Sequence, residues 1–176
     1  MNTQMKLTEH FTLGEMIKTS VKTKDRNMPS LAQIENLKRV CSWLEELRDR
    51  KNRAHPRPLP QGGEKTSFIP NPSPQEKGEN DEALYINSGY RSPAVNRAVG
   101  GADNSNHLTG CAADIRVLGM EQLLRYAVIL LDISDESDED FDELILERNS
   151  KGTYWLHFAV RAPEQGNRRK IRLMQV

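Results

Sequence analysis

The chain is expected to fold as an α+β domain, with helices packed on one side of a small, largely antiparallel sheet. Helix-period apolar stripes come early in the 176 residues, and short strand-like runs gather late. No internal repeat is visible, and the length suits one domain, residues 1–176, able to bury roughly 70% of its unfolded surface.

The elements follow in order. Leu7 to Ser20 mixes Phe11, Leu13, Met16 and Ile17 with polar residues, and Thr12 with Glu15 forms the pattern of a capping box for a short helix. Ser30 opens a longer helix, because Leu31, Ile34, Leu37, Val40, Cys41, Leu44 and Leu47 recur at three- and four-residue steps. Residues 52–80 hold six of the nine prolines and three glycines, so neither a helix nor a central strand is credible there. That insertion reads as a long loop, a lid or a disordered segment, with disorder the expectation.

Ala83 to Asn87 reads as a strand feeding Ser88-Gly89-Tyr90-Arg91-Ser92-Pro93, and Ala94 to Val99 as a helical turn ending at Gly100-Gly101. Ala112 to Val117 is a second strand, and Met120 to Leu131 a mostly buried helix. The eight acidic residues in Asp132 to Glu143 suggest a solvated connection. Leu144 to Glu147 and Thr153 to Val160 look like paired strands joined by a polar turn, and Lys170 to Val176 like an edge strand.

The 25 basic and 25 acidic residues cancel, so no net field favours nucleic acid or anionic membranes. The basic run Arg161, Arg168, Arg169, Lys170 and Arg172 lacks an aromatic platform, which argues against nucleic-acid binding. Cys41 and Cys111 are too few for a disulfide framework and read as free thiols. Met1 to His10 has no apolar stretch resembling a signal peptide, and no window is apolar enough to span a membrane. The expectation is a monomeric protein without membrane insertion, cytoplasmic as synthesised.

Ser105 to Asp114, together with Trp155-Leu156-His157, carries the chemistry. His107, Asp114 and His157 would leave a tetrahedral zinc ion with one open position for water, the arrangement of hydrolytic sites. The same donors would accept other divalent ions. Gly110 allows the turn between the first two ligands, and strand alternation places Trp155, His157 and Ala159 on one face. Cys111 fits a small buried residue better than a ligand, and His10 and His55 read as surface histidines. Trp155 either packs the core or lines the cleft.

Ser88-Gly89-Tyr90-Arg91-Ser92, Asn96, Val99-Gly100-Gly101, the Ser-x-His-x-x-Gly-x-Ala-x-Asp run at 105–114 and Trp-x-His at 155–157 resemble the D-Ala-D-Ala metallopeptidases, peptidase family M15. The opening Leu7 to Met16 and the Ile34 to Leu37 helix are similar to that family's D,D-carboxypeptidase branch. The resemblance implies a hedgehog/DD-peptidase-like fold and one zinc per chain on His107, Asp114 and His157. It places Arg91 and Ser105 at the substrate; Tyr90 and Trp155 are further substrate-binding candidates. It also implies hydrolysis of peptidoglycan stem peptides, as a D,D-carboxypeptidase or an endolysin-type endopeptidase. A non-catalytic zinc-binding module of the same fold is the alternative.

Several branches of that family have an acidic residue three positions before the last histidine, where this chain has Tyr154. The general base then falls to Glu147, with Glu143 a competitor, since both share a face with His157 if odd residues pair with odd ones across the hairpin. Turn length leaves that register open.

Overall fold

A computed structural model describes residues 2–53 and 83–176. Most of the expected insertion at 52–80, and His55, lie outside the described residues; its first two positions close a helix instead. The elements are α1 (Leu13–Met16), α2 (Leu31–Arg53), β1 (Ile86–Ser88), α3 (Pro93–Ala98), a 3-10 turn (Asn106–Thr109), β2 (Ala112–Arg116), α4 (Met120–Ser137), β3 (Glu143–Arg148), β4 (Tyr154–Ala159), a second 3-10 turn (Pro163–Gln165) and β5 (Lys170–Gln175).

The strands form one sheet in the order β1-β2-β4-β3-β5, antiparallel except for the parallel β3–β5 pair at one edge. This is the α+β class, with a mixed sheet. Among the described residues no helix is long and apolar enough to cross a membrane.

Local chemistry explains the helix starts. Thr12 accepts a hydrogen bond from the Glu15 N–H, and the Glu15 carboxylate accepts from the Thr12 N–H at 2.8 Å, the reciprocal capping box read from the sequence. Ser30 and Gln33 make the same exchange at the head of α2, with the Ser30 N–H donating to Gln33 at 2.7 Å. In the α2 stripe Ile34, Leu37, Val40, Cys41, Leu44 and Leu47 are buried, whereas Leu31, in the first turn, is 76% exposed. Trp43 on the same helix packs on Phe158 and edge-on to Phe141, at 5.3 and 6.5 Å between ring centres.

The acidic run is not the solvated connection expected of it. Helix α4 continues to Ser137 because Ile133 and Ser134 extend its buried face, and it stops where Asp138 takes a left-handed backbone, φ 58°. Phe141 and Asp142 are then fully buried and lead into β3. Composition concealed this, since one apolar residue per turn is enough to continue a stripe.

The sheet has two distinct faces. Ala113, Ile115, Leu144, Leu156 and Phe158 are buried against the helices. The other face is polar, and its central row runs Ser88, Asp114, His157, Ile145, Arg172 across five strands. Ser88 joins that row through an irregularity: the register slips one residue between Ile86, opposite Ile115, and Ser88, opposite Asp114. The slip turns Ile86 to the core and Ser88 to the polar face.

Candidate metal centre and cleft

Three elements deliver the central side chains. His107 comes from the 3-10 turn, whose cap Gly110 is left-handed at φ 73°. A Cβ on Gly110 would lie 2.5 Å from the Gln33 carbonyl oxygen, so the turn is pressed against α2 where only glycine fits. Helix α2 holds it there: Gln33 Nε2 donates to the Leu108 carbonyl at 2.9 Å and Asn36 Nδ2 to that of Thr109 at 2.7 Å. Asp114 on β2 and His157 on β4 are directly opposite each other in the ladder.

The donor atoms converge. His107 Nε2 is 3.1 Å from Asp114 Oδ1 and 3.2 Å from His157 Nδ1, and the latter is 2.9 Å from Asp114 Oδ1. All three residues are buried. A tetrahedral zinc with bonds of about 2.0–2.1 Å holds its ligands roughly 3.3 Å apart, so this triangle fits with slight expansion. Among the described residues it is the one His/Cys/Asp/Glu group able to hold a metal, and Cys111 is not part of it.

The atoms turned away from the triangle are also engaged. His107 Nδ1 donates to the Gly89 carbonyl at 2.5 Å, which leaves Nε2 with its lone pair toward the triangle. Gly89 has no space for a side chain, since a Cβ would sit 2.3 Å from the Met16 carbonyl oxygen. His157 Nε2 faces Glu143 at 3.7 Å. Asp114 Oδ2 accepts from the Arg91 guanidinium, whose Nε donates to Ser88 Oγ at 2.8 Å.

The electrostatics follow from these partners. Burial works against a charged His157, but the Asp114 and Glu143 carboxylates outweigh it and raise its pKa to about 9. Burial lowers that of His107 against the pull of Asp114. Burial opposes ionisation of Asp114, yet the two histidines hold it well below the usual carboxylate range. The His157 ring beside it and, after that, the contact with Lys170 likewise depress Glu143. Glu147 goes the other way: burial, then the nearby Asp114 charge, raise its pKa.

A cleft of about 810 Å³ lies over this face and is lined by Arg91, Ser105, His107, Asp114, Glu143, Glu147, Trp155 and His157, among others. Glu143 pairs with Ala159, Ile145 with His157 and Glu147 with Trp155, so odd residues do oppose odd ones. Both glutamates therefore share the face of His157. Tyr154 is on the opposite face, packed on the core with Arg148 over its ring, and position 154 supplies nothing to the cleft.

Ser105 lines the cleft, and its hydroxyl accepts the His107 N–H at 3.3 Å. Trp155 lines it too. Tyr90 is not brought there: its ring is buried in the core.

Sequence reading overlooked Asn106 and Asp142. Asn106 Nδ2 donates to Asp142 at 2.8 Å and to Glu143 at 3.0 Å, and Arg168 donates to Asp142 at 2.7 Å through both Nε and a terminal nitrogen. This network anchors the His107 turn to the start of β3. Its only signal in the sequence is a polar residue inside the Ser105–His107 triplet.

Residues 75–130 match the model of the Peptidase M15 family. The matched span contains Arg91, Ser105, His107 and Asp114 and ends before Glu143, Glu147 and His157, which reach the site through the fold. No curated protein matches the chain. The match supports the resemblance read from the sequence, and with it a peptidase, a hydrolytic enzyme acting on a protein or peptide substrate.

Proposed function

We propose that the protein is a zinc-dependent peptidase that hydrolyses peptide bonds of bacterial peptidoglycan stem peptides, in carboxypeptidase or endopeptidase mode. The observation that carries this reading is the convergence of His107 Nε2, Asp114 Oδ1 and His157 Nδ1 within 3.2 Å of one another at the floor of a peptide-sized cleft.

A bound zinc would supply a water acidic enough to ionise near neutral pH and would polarise the scissile carbonyl. The chain's own residues do the rest. Glu147, on the same face one ladder row from His157, takes the proton from the attacking water and returns it to the leaving amine. Its raised pKa suits both halves of that transfer. Arg91 fixes Asp114 and places positive charge beside the carbonyl oxygen as negative charge develops there. Trp155 and Ser105 border the cleft where the peptide would lie. Glu143, held by Asn106, Arg168 and Lys170, orients His157 instead of moving protons.

A synthetic stem pentapeptide tests this directly. Cleavage should stop on chelation and return with one equivalent of zinc per chain. Chelator-resistant cleavage would remove the metal from the reading. Zinc binding without cleavage would favour a recognition module of the same fold.

A further inference from the structure

The chain is neutral as a whole, with 25 basic and 25 acidic residues, but the β5 wall of the cleft is not. Four cations, Arg161, Arg168, Lys170 and Arg172, line it. The first three share two carboxylates. Asp142 is ion-paired with Arg161 at 3.0 Å and accepts from Arg168 at 2.7 Å, and Glu143 accepts from Arg168 at 2.9 Å and Lys170 at 2.8 Å. Arg172 has no acidic partner among the described residues and is exposed.

Its position is specific. Arg172 pairs with Ile145, which pairs with His157, so it lies in the ladder row of the metal-binding triangle, two strands away. At about 4.8 Å per strand its Cα is roughly 10 Å from that of His157. A peptide advances about 3.3–3.6 Å per residue, and the long arginine side chain covers part of the gap. Arg91 on the far side is already engaged by Asp114 and Ser88.

A charged edge strand also deters pairing with other chains. That role would be served by charges on either face. Here Lys170 and Arg172 face the cleft, whereas Ile171 and Leu173, on the opposite face, are 52% and 74% exposed.

We propose that the β5 wall is a second anion-recognition subsite, with Arg172 as its uncommitted cation, which selects peptides carrying a carboxylate one or two residues from the scissile bond. The guanidinium fork matches a carboxylate in two parallel hydrogen bonds. This proposal rests on the peptidase reading for its substrate, a peptide lying across the cleft.

The test uses the zinc-loaded full chain and three synthetic stem peptides: one unmodified, one with its internal carboxylates amidated, one with its C-terminal carboxylate amidated. Both kcat/KM and equilibrium binding before cleavage are measured for wild type, Arg172→Gln and Arg172→Glu. Wild type should prefer the acid over one of the amides by about tenfold, the low end for a hydrogen bond to a charged group. Arg172→Gln should bring that ratio to about one, through KM, and Arg172→Glu should invert it. A ratio inside one protein is insensitive to the fraction folded. An undiminished ratio in Arg172→Gln, or no acid preference in wild type, overturns the subsite. Loss of the binding preference in Arg172→Gln without turnover by any protein would uphold the subsite and remove the peptidase reading.

Discussion

His157 is gripped at both ring nitrogens, Nδ1 toward Asp114 and His107 and Nε2 toward Glu143. With a pKa raised to about 9, the metal-free ring keeps its proton at pH 7, whereas zinc takes the neutral ring. Zinc uptake at pH 7 should therefore release a proton from His157, and affinity should fall about tenfold per pH unit on acidification below that value. Calorimetry in buffers of different ionisation enthalpy measures this; an affinity constant between pH 7 and 8.5 would contradict it. The two glutamates should separate cleanly. Glu147→Gln should lower turnover by about 10²–10⁴ with zinc retained. Glu143→Gln should weaken zinc binding about 10–100-fold, because it loosens a ligand. Full activity in Glu147→Gln would remove it as the base. The grouping of His107, Asp114 and His157 was legible in the sequence because of the motifs that surround them. Asn106 and Asp142 were not, because a polar pair 36 residues apart leaves no local pattern.

Between the elements, the His107 turn is held in close contact with α2. Gly110 and Gly100 share a left-handed backbone, φ 73° and 72°, but a Cβ at Gly110 meets the Gln33 carbonyl at 2.5 Å while one at Gly100 meets nothing within 4 Å. Gly100→Ala should cost about 1–2 kcal/mol from backbone conformation alone. Gly110→Ala should cost more, since the turn must also leave α2, and it should lower zinc affinity. Chemical denaturation and metal titration read both effects; equal losses would mean the close approach is unimportant. Capping boxes and apolar stripes made α1 and α2 legible, because these signals are local. The slip in β1 and the continuation of α4 into the acidic run were not, because tertiary packing decides them.

At the scale of the whole molecule, a zinc ion held by His107, Asp114 and His157 would tie the 3-10 turn, β2 and β4 together. Zinc at about 100 times its Kd should stabilise the fold by about 2.7 kcal/mol, visible as a rise in Tm absent from His107→Ala. The α+β class and the edge position of β5 followed from the order of periodic segments. The parallel β3–β5 pairing did not, since strand direction depends on the path of the connection rather than on strand composition. The most direct measurement is a mass-spectrometric digest of purified peptidoglycan by the zinc-loaded protein beside His107→Ala. Stem-peptide fragments, each cut adding one water and made only by the intact protein, are expected and would identify the bond. No new fragments from several wall types, with one zinc bound per chain, would contradict a wall peptidase and leave a binding module in its place.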